Sequence, residues 1–123
     1  MKRLKFKFRR NSNGTFGANI VHGETLGRRE LTDLLAAASH LIPTSAAVAA
    51  MIHLPEVIVA EVTDGNRVYI EGLGTFKLTV KTRAVTSTRL FRPHRDVVDY
   101  DIAFQMDRKL KQKLKEEIKL QKM

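Results

Sequence analysis

Lys77, Lys81, Arg83, Arg89, Arg92 and Arg95 place six cations across positions 77 to 95, and no carboxylate interrupts them before Asp96. Such side chains at this density neutralise phosphates, and binding a polyanion with them releases its condensed counterions. A second group, Lys2, Arg3, Lys5, Lys7, Arg9 and Arg10, opens the chain, again without an acid. The histidines offer less: His22, His40, His53 and His94 are scattered, without the tight spacing of metal ligands, so no metal is expected. His53 and Glu56 share a helix face and read as a polar edge rather than an acid–base couple. Asp99 and Asp101 read as charge partners of Lys77 and Lys81 across a hairpin. Gly72 and Gly74 do not make a phosphate loop, because Lys77 stands where a dinucleotide fingerprint needs its third glycine and a strand, not a helix, should follow. With no nucleophile–base constellation and no phosphate-loop lysine motif, the expectation is a non-enzyme with no cofactor and no small-molecule substrate.

Charge is unevenly distributed along the 123 residues, whose net formal charge is +9. Residues 24 to 71 hold three basic and seven acidic side chains, a net −4, which leaves +13 for the remainder. An acidic middle flanked by basic segments points to a polyanion: DNA, RNA or an anionic membrane surface. The absence of cysteine fits a reducing compartment. No apolar segment follows the basic start, and no run of about 18 apolar residues occurs, so a soluble cytoplasmic protein is expected rather than an exported or membrane one.

The elements that must position these cations follow from periodicity. Leu4, Phe6 and Phe8 alternate with Lys5, Lys7 and Arg9, a strand with one basic face; Asn13-Gly14 is a tight turn, and residues 16 to 22 read as the returning strand with its register open. Thr25 is the expected cap of a first helix carrying Leu31, Leu34, Leu35 and Ala38, which ends before Pro43. Thr44 or Ser45 should cap a second helix reaching about Thr63. Its apolar residues nearly encircle it, which calls for burial on most sides and hence a partner subunit. Pro55 should kink or split it near His53-Leu54. Asp64-Gly65 stops that helix, Val68-Tyr69-Ile70 starts a strand, and Gly72 and Gly74 permit a sharp turn.

Phe76, Leu78 and Val80 then alternate with polar residues, as do Val98, Tyr100, Ile102 and Phe104. An antiparallel register whose position numbers sum to 180 satisfies both faces: Phe76 meets Phe104, Leu78 meets Ile102, Val80 meets Tyr100 and Lys81 meets Asp99. It puts the hairpin tip near Leu90, with about ten residues on each limb projecting beyond those pairs. A terminal helix from about Asp107 completes the chain, with Met106, Leu110, Leu114 and Ile118 as its apolar stripe.

Taken together, two helices, the stretch from Asp64-Gly65 to Gly72-Leu73-Gly74-Thr75-Phe76, a basic arm and a terminal helix resemble the bacterial histone-like HU and integration host factor family over roughly residues 25 to 120. The N-terminal hairpin looks like the addition of a divergent HU-like subgroup. The resemblance implies an α+β, HU-like intertwined dimer fold with two N-terminal helices, a β-sheet with a long basic β-arm, a C-terminal helix and an added N-terminal β-hairpin. Within a single DNA-binding domain, residues 1–23 would be the hairpin, 24–64 the helical dimerisation region, 65–106 the sheet and arm, and 107–123 the terminal helix. It further implies minor-groove architectural binding of duplex DNA by a nucleoid-associated homodimer. The family's arm tip usually carries an Arg-x-Asn-Pro-x-Thr-Gly pattern whose proline wedges between base pairs. Here the arm's proline is Pro93, past the tip, with Leu90 and Phe91 nearer to it, so all three are candidate wedges.

The six arm cations are thus the expected DNA contacts, and Lys2, Arg3, Lys5, Lys7, Arg9 and Arg10 the secondary ones. Sequence preference should be weak, because the arm offers few Asn or Gln side chains for base edges. The alternatives are a homodimeric protein-interaction module that kept the fold with little or no DNA binding, and an RNA-binding protein. Aromatic residues spaced for base stacking are sparse outside Phe6, Phe8 and Phe91, which disfavours the latter.

Overall fold

The computed structural model describes residues 2–122, and in it the alternation at the start of the chain becomes strand β1 (Lys2–Arg10). Asn13 Oδ1 accepts from the Thr15 backbone N–H at 3.2 Å and from its hydroxyl at 2.6 Å, and Gly14 takes φ +84°. That turn returns β2 (Phe16–Ile20) antiparallel to β1, with Phe6 opposite Ile20 and Phe8 opposite Ala18. The strand stops two residues short of the expected His22.

Helix α1 (Arg28–Ala38) is capped at Gly27, not at Thr25. The reason is local: the Glu30 carboxylate accepts from the Gly27 N–H at 3.0 Å, satisfying an otherwise unpaired donor and setting negative charge in the first turn. Helix α2 (Thr44–Thr63) has Pro43 at its cap position, so Thr44 and Ser45 lie inside the first turn. The expected split at Pro55 does not occur, and α2 is one continuous helix. A proline deletes a single donor from the ladder, and α2 as a whole packs on α1 and on the following sheet. Its end is as expected: Asn66 N donates to the Glu61 carbonyl, Gly65 N to that of Val62, and Gly65 adopts φ +87°, a left-handed cap that glycine takes without strain.

Strands β3 (Val68–Ile70), β4 (Gly74–Thr82) and β5 (Val97–Met106) form an antiparallel sheet in the order β3-β4-β5. The β4–β5 register has the anticipated sum of 180 from Gly74 opposite Met106 to Lys81 opposite Asp99; Thr82 then pairs with Val97, leaving Val98 as a bulge. Gly74 is required at the first rung. Its φ is +155°, and a Cβ there would collide with the Gln105 carbonyl oxygen and lie 2.8 Å from ring carbons of Phe104. Phe76 and Phe104, with ring centroids 4.9 Å apart, pack on the face that receives α2.

Two expectations for the rest of the chain need correction. The ladder ends at Thr82–Val97, so the segment beyond it is not a long extended arm; residues 83–96 fold back on themselves through a 3-10 turn (Thr88–Leu90) and a one-turn helix α3 (Pro93–Asp96). The terminal helix α4 spans only Arg108–Glu117, and Ile118–Lys122 is a strand, β6, lying parallel to β1 with Ile118 opposite Lys2 and Leu120 opposite Leu4. Ile118 fits both an i, i+4 helical stripe and an alternating strand. The unpaired edge of β1 decides between them, because its free N–H and C=O groups gain partners only if residues 118–122 extend. Asp107 precedes α4 but its carboxylate does not cap it; Oδ2 accepts from the Tyr69 hydroxyl at 2.9 Å instead, tying β3 to the start of α4 and raising the phenol's pKa. Met106 belongs to β5, so α4's apolar stripe is reduced to Leu110 and Leu114.

Very little of this apolar surface is covered within one chain. Ala47 and Val62 are the fully buried hydrophobic residues among those described, whereas Leu54, Val57 and Val59 of α2 stay 49%, 54% and 48% exposed. Met51, Leu54, Ile58 and Val59 line an open, wholly apolar groove floored by Phe76 and Ile102. By length and apolar content α2 could also cross a bilayer. It carries Glu56 and Glu61, however, and packs on α1 and β4.

Candidate nucleic-acid interface

The segment 83–96 is organised around one carboxylate. Asp96, 3% exposed, accepts from the Arg92 backbone N–H at 2.7 Å and from the Arg95 guanidinium through Nε to Oδ1 and Nη2 to Oδ2, both at 2.9 Å. Those bonds outweigh the desolvation of the acid and, with Arg83 adding its field, hold its pKa down at about 2. Arg95, whose pKa is raised by the same hydrogen bonds and the Asp96 charge, also donates from Nη2 to the Leu90 carbonyl at 2.6 Å. Arg92 Nη1 donates to the carbonyls of Arg89 and Phe91, at 3.0 and 3.1 Å. The Arg83 N–H closes the base of the loop on the Asp96 carbonyl at 2.7 Å. Local sequence makes this possible: Pro93 needs no hydrogen-bond partner at the first position of α3 and has its φ preset there, and Ser87 Oγ accepts from Arg89 N at 3.4 Å to start the 3-10 turn.

This geometry sorts the arm cations. Arg95 is neutralised by Asp96 and Arg92 is engaged with carbonyls, whereas Lys81, Arg83 and Arg89 are exposed cations around the loop and its base, with Lys77 half-buried on the stem. On that stem Lys77, Thr79 and Lys81 share a face with Asp99 and Asp101, yet the carboxylates do not serve as the expected partners of the lysines. Asp99 and Asp101 each accept from the next backbone N–H, of Tyr100 and Ile102, at 2.8 Å. A short acidic side chain bonding its own neighbour's amide in a strand loses less side-chain entropy than one reaching across to a flexible lysine. Of the candidate wedges, Leu90 is 51% exposed, Phe91 is half-buried and Pro93 is the helix start. His53 Nδ1 lies 3.3 Å from Glu56 Oε2 on the exposed side of α2, a polar edge as expected.

The first basic group is likewise divided. Arg3, Lys5, Lys7 and Arg9 lie on one face of β1, while Lys2 and Arg10 fall on the other with Leu4, Phe6 and Phe8. Two residues of the candidate interface are not evident from the sequence. Asp96 there looks only like the end of a basic run, although its spacing from Arg92 and Arg95 could have marked a loop anchor. Lys119, hidden by the helical pattern of the last residues, lies directly opposite Arg3.

Asp96 yields a signed pH dependence. Its native pKa lies below the unfolded value of roughly 3.9, so its stabilising contribution is fully present above pH 4 and is lost as pH falls towards 2. Asp96→Asn should lower the urea midpoint at neutral pH, and the gap from wild type should close between pH 4 and pH 2. A gap that persists unchanged to pH 2 would show that the carboxylate's charge does not hold the loop.

Comparison with known proteins agrees with this architecture. The family model described as an HU domain fused to wHTH, Ig, or glycine-rich motif matches residues 2–122. No curated protein matches the chain. Among solved structures, the chain is similar to a candidate bacterial DNA-binding protein from Bacteroides vulgatus, with a TM-score of 0.71 at 12% sequence identity. The similarity covers 100% of this chain and 49% of that one, so the chain spans about half that protein's length. At this identity the likeness speaks for the fold. With the helical pair, the three-stranded sheet and the N-terminal hairpin in place, the chain belongs to the HU-HIG family of HU-like domains.

Proposed function

We propose that this chain is an HU-like architectural protein which binds duplex DNA with little sequence preference, as a homodimer, through the loop 83–96 and its stem. The observation that carries the reading is the organised loop: Asp96 fixes its backbone while Lys81, Arg83 and Arg89 remain free to meet phosphates. Such contacts position a duplex without reading bases. Leu90, a large apolar side chain left 51% exposed in the loop, is the wedge best placed to enter the base stack and bend the DNA. Membership of an HU-like family and the described role of the Bacteroides vulgatus protein support the same reading. A nucleoid-associated cytoplasmic location and a non-enzymatic role follow from it.

The dimer is supported by exposed area. The single chain of 14.0 kDa exposes 10759 Å², against roughly 6,700 Å² for a compact protein of that mass. The excess is larger than one partner's share of even a large obligate interface, about 2,500 Å². The apolar groove on α2, β4 and β5 is where a second copy would bury its share, and its apolar lining suits an equally apolar face of the partner.

Two experiments test these statements. Sedimentation at micromolar concentration should give twice the monomer mass, and Val59→Asp should dissociate or unfold the protein, because a carboxylate left unpaired in an apolar interface is costly; a well-folded wild-type monomer would remove the dimer. Separately, the triple variant Lys81→Gln, Arg83→Gln, Arg89→Gln should bind a fluorescent duplex more weakly, with a log–log salt slope shallower by up to about 2.7. Unchanged affinity and slope would instead favour the protein-interaction reading.

A further inference from the structure

The sheet β2-β1-β6 carries more uncompensated charge than the loop does. Its strands contain Lys2, Arg3, Lys5, Lys7, Arg9, Arg10, Lys119 and Lys122 and not one carboxylate. Pairing sorts these cations: Arg3, Lys5, Lys7 and Arg9 project from one face of β1, and β6 adds Lys119 beside Arg3 on that same face. Gln121 stands opposite Lys5 and Asn19 opposite Lys7, so the positions between the cations are filled by neutral donors. Arg9 is held in place, donating from Nη1 to Asn19 Oδ1 at 2.9 Å and from Nε to Asn11 Oδ1 at 3.2 Å. Arg3, Lys119 and Gln121 border a shallow recess. The nearest carboxylate in sequence, Glu117, sits 4.0 Å from Lys113 Nζ in its own helix.

Like charges directly opposite in a sheet are destabilising, and the Arg3–Lys119 pair is of that kind, with no acid in the sheet to relieve it. We infer that this face is a second phosphate-binding surface, whose ligand is the backbone of duplex DNA. From Arg3 to Arg9 the four cations of β1 span about 20 Å, the axial rise of roughly six phosphates along one DNA strand. The face is complete only when β6 is paired to β1, since the opposed cation, Lys119, comes from β6. This inference deepens the proposed function and rests on it for the identity of the polyanion.

The test titrates a fluorescent mixed-sequence duplex, at several salt concentrations, with four full-length proteins: wild type, the loop variant above, Lys5→Gln/Lys7→Gln/Lys119→Gln, and the matching triple Lys→Arg variant. The Gln sheet variant should keep the wild-type circular dichroism and dimer mass, bind more weakly, and show a slope shallower by up to about 2.7, while the Arg variant keeps the wild-type slope. Wild-type affinity and slope in the Gln sheet variant would overturn the inference and leave the loop reading standing. A loop variant that binds like wild type while the Gln sheet variant loses affinity would uphold the sheet and overturn the loop. A wild type that binds no duplex would overturn both.

Discussion

The antiparallel ladder between β4 and β5 is the constraint on which the rest of the structure depends. It runs from Gly74 opposite Met106 to Thr82 opposite Val97, and each end sets something that a slip by one residue would destroy. At the near end the missing side chain of Gly74 lets β4 approach the Gln105 carbonyl and the Phe104 ring. On one face Phe76, Leu78, Phe104 and Ile102 present the surface that α2 packs on; a one-residue shift would turn lysines and aspartates towards that helix. At the far end the Val98 bulge releases both strands into the loop that Asp96 closes.

Most of this was legible in the residues. The register follows from requiring two alternating segments to satisfy an apolar and a polar face at once, and the end of α2 follows from Asp64-Gly65, where only the left-handed cap is needed. What was not legible depends on contacts distant in sequence or on a contest between two local options. The choice between helix and strand for Ile118–Lys122 rests on an edge of β1 over a hundred residues away. Whether residues 83–96 extend or fold back depends on a single buried carboxylate gathering Arg92 and Arg95. The lost donor of Pro55 is plain in the sequence, whereas the packing of α2 on α1 and on the sheet is not visible from its own turn. Among the candidate site residues, the sequence identifies the cations as a group but cannot separate free ones from Arg95, because that distinction needs the fold of the loop.

Asp96 and the terminal sheet represent two opposite treatments of positive charge. In the loop, one acid is buried to organise the backbone and neutralises Arg95 in doing so, leaving its neighbours outward. In the sheet β2-β1-β6 no acid is present, and Arg3 and Lys119 are left opposed. A protein selected for stability alone has no reason to set like charges side by side, whereas a bound polyanion would supply the compensation. The same division holds for apolar surface: α2 leaves half of several side chains open to water, which a second copy would cover.

The most direct test of the central claim, that the loop 83–96 meets DNA, is photocrosslinking from position 90. A photoreactive side chain in place of Leu90, irradiated with a labelled duplex, should attach to the DNA, and excess salt should abolish the attachment as the phosphate contacts are screened. The same probe in place of Leu41, an exposed residue between α1 and α2, should give no adduct. Equal crosslinking from both positions, or none from position 90 while the duplex is bound, would contradict the account.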